Sequence, residues 1–287
     1  MNISFEKKFA AGLSILSNFV IILTKLVAGV ISGSIGIISE AVHSMTDFLA
    51  SIIAFFAVSR SSEPADEDHQ FGHGRYEDIA GFIEGFLIVF ASFYIIYEAC
   101  KKIINETTFE FDTTLGINVM IFAVISNFIV SRYLHYVAKK TDSVAIKADA
   151  EHLSTDIYSS LGVMIGLILI KVTGIVLLDP LIAIFVALII LKAGMSIIKE
   201  TFNNLVDGRL PSEDIKKIEN ILTECSGIKG YKNLKTRKTG SNRDIDITLL
   251  CDENMTIKHC HSICDCIEEK IMKEFPNTFI TIHCEPK

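Results

Sequence analysis

Two segments of the chain carry the same pattern of ionisable residues. One reads Glu40-Ala-Val-His-Ser-Met-Thr-Asp47, and the other reads Asp149-Ala-Glu-His-Leu-Ser-Thr-Asp156. Each places an acid, a histidine and a second acid at i, i+3 and i+7 within an apolar stretch. Ionisable groups are costly inside a bilayer, so they persist there mainly where they face a partner, a cavity or an ion path. The repeated pattern predicts a metal site that is divided between two helices.

The spacing also predicts how the ligands would meet. Four residues separate the histidine from the last acid, so His43 and Asp47 share one helix face, and His152 and Asp156 share another. If the two helices run antiparallel, His43 lies level with Asp156, and Asp47 lies level with His152. Two nitrogen and two oxygen ligands can complete the tetrahedral shell that zinc prefers.

The charge of this ligand set favours exchange of metal for protons. Two carboxylates and two neutral imidazoles carry two negative charges, which a divalent cation cancels. Without the cation, a low-dielectric site favours protonation of the carboxylates or the imidazoles. We therefore expect an antiporter rather than a channel. The alternative is a buried cluster of ion pairs and hydrogen bonds that only holds the helices together.

The first acid of each motif lies about one helical turn from the predicted centre. Glu40 is expected toward the exterior and Asp149 toward the cytoplasm, where they would attract cations at the two mouths of an ion path. Roles in helix packing or hydrogen bonding are equally consistent with the pattern.

The composition is that of a membrane protein. The chain has 287 residues, half of them hydrophobic, and a mean hydropathy of +0.43. Six apolar stretches are long enough to cross about 30 Å of hydrocarbon. They are Phe9–Ile31, Ile35–Val58, Ile79–Cys100, Thr114–Val137, Ala145–Ile170 and Leu178–Ile198. The first contains Asn18 and Lys25 and lacks a cleavage site, so we expect it to be a span and not a signal peptide.

The distribution of basic residues predicts the topology of an integral membrane protein. A six-span arrangement puts most of the basic residues near the spans on one side of the bilayer, which predicts that both termini are cytoplasmic. Residues 1–208 would form an all-α bundle of six transmembrane helices, and residues 209–287 a separate cytoplasmic domain. The net charge of −7 argues against a nucleic-acid partner.

The polar tail predicts a small α+β domain with the element order α-β-β-α-β. Its helices are expected at about Ser212–Cys225, with Ser212 as the N-cap, and at about Thr256–Phe275. Strands are expected at Tyr231–Thr239, Asp244–Leu250 and Thr278–His283. This order predicts an open sheet with helices on one face.

Six of the seven cysteines fall in this tail. A cytoplasmic location keeps thiols reduced, which makes a disulfide framework improbable. They are either small buried side chains or groups that ligate metal or sense redox state, and no CxxC pair decides between these.

Two further donor groups lie outside the apolar stretches. The link after the second stretch contains Asp66, His69 and His73, which either bind a second cation or are only solvated polar groups. In the tail, His261, His283 and Glu285 either gather at one end of the sheet or are surface residues.

The six spans, the two HxxxD pairs, the link Pro64-Ala-Asp-Glu-Asp-His-Gln-Phe-Gly-His-Gly-Arg75 and the α-β-β-α-β tail together resemble the cation diffusion facilitator family. The likeness is strongest to its bacterial ferrous-iron/zinc efflux members, which are homodimeric, proton-coupled exporters with a metallochaperone-like cytoplasmic domain. The resemblance implies an integral protein of a bacterial cell membrane and no enzyme activity.

The resemblance also implies roles for particular residues. The two HxxxD pairs correspond to the transport site, and Asp66, His69 and His73 to a loop site near the membrane surface. His261, His283 and Glu285 correspond to ligands of a cytoplasmic site, and Arg75 and Asp207 to a charge pair between the domains at the dimer seam. The partners implied are divalent metal ions, protons, the lipid bilayer and a second copy of the chain.

Two departures from the family pattern refine the expectation. His43 occupies a position where many bacterial exporters have aspartate, and histidine there resembles the zinc-selective members, which favours Zn²⁺ as the substrate. Zn²⁺ is also the expected regulatory ligand. Lys232 and Thr248 stand where related exporters carry histidines, so the cytoplasmic domain can hold no metal, one or two. Export of iron, cobalt, cadmium or manganese, a membrane metal sensor and an intramembrane zinc hydrolase are the alternatives. The hydrolase would need an HExxH motif or an open coordination position, which these ligands do not offer.

Overall fold

The structure is a computed structural model that describes residues 3–32, 35–105, 114–173 and 178–287. Within these ranges, side chains are not described at 3, 29, 31–32, 35–43, 46–47, 98, 102, 105, 114–117, 120, 159–160, 162–173 and 178–179. The chain divides into two compact units, Met1–Thr201 and Phe202–Lys287. The predicted boundary between residues 208 and 209 stays a prediction.

Long helices build the first unit over its described residues. They are α1 (Ile3–Ser32), α2 (Ile35–Ser61), α3 (Arg75–Asn105), α4 (Thr114–Thr141), α5 (Val144–Thr173) and α6 (Leu178–Leu205). They coincide with the six apolar stretches, because a helix satisfies its backbone hydrogen bonds internally, as hydrocarbon requires. This confirms the predicted fold class of a transmembrane helical bundle.

Four described stretches of these helices are long and apolar enough to cross a membrane. They are Ser4–Ala28, Arg75–Lys101, Ile121–Thr141 and Pro180–Leu205, and α2 adds the shorter apolar stretch Phe48–Ser61. Because parts of α2 and α5 lie outside the described side chains, the crossings by these two helices stay predictions.

Helix α5 packs against α1, α2, α3 and α4. Its residues Ala145, Ala148 and Ala150 are fully buried. Small side chains let helix backbones approach closely where hydrocarbon offers no hydrophobic driving force. The two helices that carry the repeated motif, α2 and α5, are therefore packing neighbours, as the divided site requires.

Helices α3 and α6 approach each other along a row of glycines. A methyl group added at Gly85 would lie 2.8 Å from Ile198 Cγ1 and 3.2 Å from the Ile198 backbone nitrogen. One added at Gly194 would lie 2.9 Å from Ile88 Cγ2, and one at Gly81 would lie 2.9 Å from Thr201 Cγ2. At each of these three positions an added methyl group would force a neighbouring group to shift, and at Gly85 and Gly194 the crowded atoms include a backbone nitrogen of the other helix.

The second unit contains α7 (Ser212–Glu224), β1 (Gly230–Thr239), β2 (Asn242–Cys251), α8 (Ile257–Glu274) and β3 (Thr278–Pro286). This confirms the predicted order α-β-β-α-β. The sheet order is β1-β2-β3, with β2 antiparallel to β1 and parallel to β3. Two parallel neighbours need a crossover, and α8 provides it.

Three local predictions in the second unit differ from the structure. The predicted strands Tyr231–Thr239 and Asp244–Leu250 leave four residues between them, but the hairpin turn has only two, because Gly240 adopts a positive φ of 60° and lets β2 begin at Asn242. The last strand extends to Pro286. At the start of α7 the cap position belongs to Pro211, which makes no side-chain cap, so the predicted Ser212 N-cap is wrong.

Both helices of the second unit cover one face of the sheet. Its core contains Ile218 and Leu222 of α7, Leu249 of β2, and Ile267 and Ile271 of α8, all fully buried. Burial of each such side chain contributes about 1.5–3 kcal/mol. Because side chains alternate along a strand, the other face of the sheet presents a separate set of residues.

Candidate metal sites

The structure brings the three predicted loop ligands together between α2 and α3. Donor atoms of Asp66, His69 and His73 all lie within 4.8 Å of one another. Asp66 Oδ1 accepts a hydrogen bond of 2.6 Å from the His69 backbone N–H, and the same oxygen lies 3.1 Å from His69 Nδ1. This backbone hydrogen bond is the main cause that lowers the pKa of the Asp66 carboxyl. Asp66 is therefore ionised at neutral pH.

The orientation of His73 leaves one ring nitrogen available as a ligand. His73 Nδ1 lies 3.2 Å from the Pro64 carbonyl oxygen, which can only accept, so Nδ1 carries the hydrogen of the neutral ring. Nε2 then presents its lone pair 3.3 Å from Asp66 Oδ2, and it makes no hydrogen bond among the described residues. A carbonyl that fixes the tautomer of a histidine in this way is the usual support of a metal-ligating imidazole.

The distance between these two acceptors suits a shared cation. Zinc binds nitrogen and oxygen at about 2.0–2.2 Å, which separates two ligands of a tetrahedron by about 3.4 Å. His73 is 2% exposed, whereas the side chains of Asp66 and His69 are nearly half exposed. The group is therefore open to solvent on one side, which allows a further ligand to enter.

Of the four predicted transport-site ligands, the structure describes the side chains of the two on α5. His152 is buried and Asp156 half-buried, one turn apart on the same helix. His43 and Asp47 lie on α2, but their side chains, like that of Glu40, are outside the described residues. The assembly of all four ligands stays a prediction.

Asp149 lies deep in the bundle. It is 1% exposed, and its Oδ1 accepts hydrogen bonds from Ser14 Oγ at 3.1 Å and Ser51 Oγ at 3.3 Å. Asn18 Nδ2 donates to Ser51 Oγ at 2.6 Å, which extends the polar group across α1, α2 and α5. This position suits the hydrogen-bonding role left open for Asp149, and its role at a mouth of the ion path stays a prediction.

Glu84 of α3 is a candidate that the sequence analysis missed. It is fully buried, and neither carboxylate oxygen has a hydrogen-bond partner among the described residues. Its charge interacts with those of Asp149 and His152, which puts it beside the α5 motif. An acid in the middle of an apolar stretch was the available signal, because such residues mark ion paths or proton relays.

A buried ion pair anchors the start of α3 beside the loop group. Glu77 is fully buried and accepts hydrogen bonds from Lys7 Nζ at 2.5 Å, Ser61 Oγ at 2.8 Å and Ser143 Oγ at 2.5 Å. These partners belong to α1, α2 and the link between α4 and α5. Glu77 therefore fixes the end of the loop that carries His73.

The predicted cytoplasmic ligands are only partly gathered within one chain. His283 Nε2 lies 3.7 Å from Glu285 Oε1, and Glu285 Oε2 lies 2.5 Å from Lys232 Nζ. The Lys232 ammonium is the main cause that lowers the pKa of the Glu285 carboxyl. His261 lies on an exposed face of α8, 3.8 Å from Asp265. Among the residues of this unit, His261, His283 and Glu285 do not form one compact donor group.

Arg75 and Asp207 belong to different units, so their predicted pairing stays a prediction. Within the second unit, Asp207 Oδ1 lies 3.4 Å from Arg237 Nη1. Asp207 also has a positive φ of 58°, two residues after the end of α6 and directly before Gly208.

Comparison with known proteins connects both units to one family. A family model described as "Cation efflux transmembrane domain" matches residues 12–206, and one described as "Cation efflux protein, cytoplasmic domain" matches residues 210–287. An uncharacterized transporter of a Synechocystis species is 34% identical over 264 residues, which cover 91% of this chain and 84% of that protein. The cation-efflux pump FieF of Salmonella paratyphi A is 30% identical over 266 residues, or 93% of this chain and 88% of the pump.

Solved structures match a smaller part of the chain. One from work on the mode of action of CzrB is 29% identical and covers 27% of this chain and 98% of its own, with a TM-score of 0.27. A nickel form of a MamM CTD variant is 15% identical and covers 27% of this chain and 99% of its own, with a TM-score of 0.26.

Proposed function

Because this chain belongs to the cation efflux family, also called the cation diffusion facilitators, we propose that it exports Zn²⁺ from the cytoplasm in exchange for protons. It is an integral membrane protein of a family that moves divalent metal ions, and relatives of this kind include a cation-efflux pump. Zinc selectivity, proton coupling and the site residues below are parts of the proposal.

The observation that carries the proposal is the pair of HxxxD motifs on two helices that pack together. His43 and Asp47 lie on α2, and His152 and Asp156 lie on α5. We assign these four side chains to one tetrahedral site of two nitrogen and two oxygen ligands, the shell that zinc prefers. His43 favours zinc over harder cations because imidazole is a softer ligand than carboxylate, and the compact tetrahedral shell of two nitrogen and two oxygen ligands disfavours larger cations.

The buried acids around His152 support exchange with protons. Asp149 and Glu84 are both buried beside the α5 motif, and their charges repel each other. A cation at His152 and Asp156 would offset this repulsion, and its departure would restore it. Protons must then take the place of the metal, because several negative charges in a low-dielectric region are strongly unfavourable.

The transport cycle follows from these positions. Zn²⁺ enters from the cytoplasm past Asp149, binds the four ligands and leaves past Glu40 as protons bind. Alternating access requires the helices around α5 to move relative to one another while the ligand set is kept. In this scheme Glu84 carries a proton during the return step.

The remaining sites act beside the main path. Asp66, His69 and His73 hold a second Zn²⁺ near the cytoplasmic membrane surface. The cytoplasmic domain joins two copies of the chain, and Arg75 and Asp207 form the charge pair between the domains. His261, His283 and Glu285 contribute metal ligands in the cytoplasmic domain. Both termini of the chain lie in the cytoplasm of a bacterial cell.

Zinc flux in proteoliposomes tests the proposal. Proteoliposomes that contain the purified protein should accumulate Zn²⁺ when a pH gradient is imposed across their membrane. Addition of Zn²⁺ should dissipate an existing pH gradient. His152→Ala should abolish both effects. The matched control is His135→Ala, because His135 of α4 is a half-buried histidine that hydrogen-bonds to Ser154 and belongs to no proposed ligand group.

Three results would contradict parts of the proposal. Metal flux without any proton movement in sealed, oriented vesicles would remove the coupling. An unchanged preference for zinc over cadmium in His43→Asp would remove the assigned role of His43, and competition by iron, cobalt or manganese ions would identify another substrate.

A further inference from the structure

Four thiol groups converge inside the second unit, although they are far apart in the sequence. Cys251 ends β2, Cys260 and Cys264 lie one turn apart on α8, and Cys284 lies on β3. The Sγ atoms of Cys251 and Cys260 are 3.4 Å apart, and those of Cys264 and Cys284 are also 3.4 Å apart. The Sγ atoms of Cys251, Cys260 and Cys284 all lie within 4.8 Å of one another.

The topology of the sheet explains this convergence. Leu249 pairs with Cys284 across the parallel ladder, so Cys251, two residues further, lies diagonally next to Cys284 on the same face. Helix α8 follows β2 after a short link and crosses this face, so its first turns lie over the end of the strand. The thiols therefore come from three elements that the crossover holds together.

These thiols differ from the exposed donors of the same strand. His283 and Glu285 flank Cys284 in the sequence, and alternation turns their side chains to the opposite face of the sheet. The His283 side chain is 70% exposed, whereas Cys251 and Cys264 are 5% and 7% exposed. The thiol group is a separate set of ligands and not part of the predicted His261, His283 and Glu285 site.

From this geometry we infer that Cys251, Cys260, Cys264 and Cys284 form a thiolate site for a thiophilic divalent cation of the Zn²⁺ or Cd²⁺ class. Zinc binds sulfur at about 2.3 Å, so neighbouring sulfurs of a tetrahedral site are about 3.8 Å apart. The separations among Cys251, Cys260 and Cys284, and the 3.4 Å between Cys264 and Cys284, bracket this value. Shifts of about 1 Å or less suit the first three thiols, and Cys264, which lies outside their 4.8 Å group, completes the shell by a larger side-chain movement.

The surroundings favour metal over a reactive thiol. All four cysteines belong to or pack against an apolar core that includes Leu249, Ile263 and Ile282. Burial, together with the neighbouring thiols of Cys260 and Cys284, raises the pKa of the Cys251 thiol to about 12. A thiol in such surroundings reacts slowly as a nucleophile, whereas a bound cation deprotonates its thiol ligands and stabilises the thiolates. Tetrahedral sulfur coordination is typical of zinc.

Metal titration of the full chain tests this inference, which does not rest on the proposed export function. Reduced, metal-free protein in detergent is titrated with Cd²⁺ or Co²⁺, and sulfur-to-metal charge-transfer absorption is recorded. We expect this absorption to saturate at one equivalent per chain. The HxxxD and loop ligands cannot produce it because they offer only nitrogen and oxygen.

Variants locate the signal. Cys260→Ala/Cys284→Ala should lose the absorption, because both residues are half-buried members of the group. The matched control is Cys225→Ala/Cys266→Ala, which removes the two other cysteines of this unit and should keep the full signal. His152→Ala should also keep it, which separates this site from the transport site and from the outcome of the flux assay.

Alkylation of the wild-type protein provides a measurement that needs no variant of the group. Cd²⁺ should slow the reaction of Cys260 and Cys284 with N-ethylmaleimide at least about tenfold, while exposed Cys266 reacts at an unchanged rate and serves as the internal standard. Absence of charge-transfer absorption, its persistence in Cys260→Ala/Cys284→Ala, or equal alkylation with and without Cd²⁺ would overturn the inference. A Cys251–Cys260 disulfide in protein prepared under cytoplasmic redox conditions would also overturn it.

Discussion

Substitution of Gly85 by alanine tests the close approach of α3 and α6. The added Cβ would lie 2.8 Å from Ile198 Cγ1, 3.3 Å from Ile197 Cγ2 and 3.2 Å from the Ile198 backbone nitrogen. Carbon atoms attract best at about 3.5–4.0 Å, so the closest contact is too short by about 0.7–1.2 Å. A side chain can rotate away from such a contact, but a backbone nitrogen can move only with its helix.

The expected loss of stability follows from this overlap. Overpacking of a well-packed site costs about 1–3 kcal/mol. Alanine gains about 1 kcal/mol over glycine from helix propensity, which hides part of the loss when Gly85→Ala is compared with the wild type. Gly12→Ala is the matched control, because its Cβ would meet only Phe55 Cε2 at 3.9 Å, an ordinary contact. The propensity gain cancels between the two variants, so Gly85→Ala should be less stable than Gly12→Ala by about 1–3 kcal/mol.

The measurement is the free energy of unfolding of both variants in mixed detergent micelles. A double variant with Ile198→Ala should lose less stability than the sum of the single losses, because removal of Cγ1 relieves the shortest contact. Equal stability of Gly85→Ala and Gly12→Ala would refute the close packing of α3 on α6. Additive losses in the double variant would refute Ile198 as the contact.

Three other predictions concern the candidate sites. Glu84→Gln should preserve or raise the free energy of unfolding, since it removes a buried carboxylate without a hydrogen-bond partner among the described residues. The same variant should lower proton-coupled zinc flux by about tenfold or more, because glutamine cannot carry the proton assigned to Glu84. Flux equal to that of the wild type would contradict this role. His73→Gln should remove one equivalent of bound Zn²⁺ in equilibrium dialysis and leave the equivalent that His152→Ala removes. Unchanged stoichiometry would exclude His73 as a ligand. Lys232→Met should destabilise the cytoplasmic domain above the ordinary Glu285 pKa of 4.5, where the paired carboxylate is ionised, and the difference from wild type should shrink as pH falls below it. A difference in urea unfolding that does not change with pH would contradict the pairing.

The sequence predicts the helices and the loop group well because both depend on neighbours along the chain. Apolar stretches long enough to span hydrocarbon become helices α1–α6 because no other structure there satisfies the backbone. Asp66, His69 and His73 lie within eight residues, so the turn after α2 alone can gather them. Such local groups follow from spacing and residue type.

Contacts between distant elements were not predictable in this way. Cys251 and Cys284 are neighbours only because β2 and β3 pair in parallel, and no spacing in the sequence specifies that register. Glu84 belongs with the α5 motif only because α3 packs on α5, whereas the acids of its own apolar stretch do not repeat the motif. In both cases the residue type was visible, but its partners depend on tertiary packing.

The pair of Lys232 and Glu285 has a consequence for an exporter that must work across a range of metal supply. A metal ion that neutralises a carboxylate can be removed by a chelator or by starvation, but an ammonium group on the chain cannot. Lys232 keeps the charge of Glu285 balanced at every cytoplasmic metal concentration, with 2.5 Å between the two groups. A cation that binds Glu285 competes with this lysine for the negative charge of the carboxylate, which raises the metal concentration needed to occupy the exposed face of the sheet. The domain thereby carries a permanent counter-ion at a position where related exporters carry histidines.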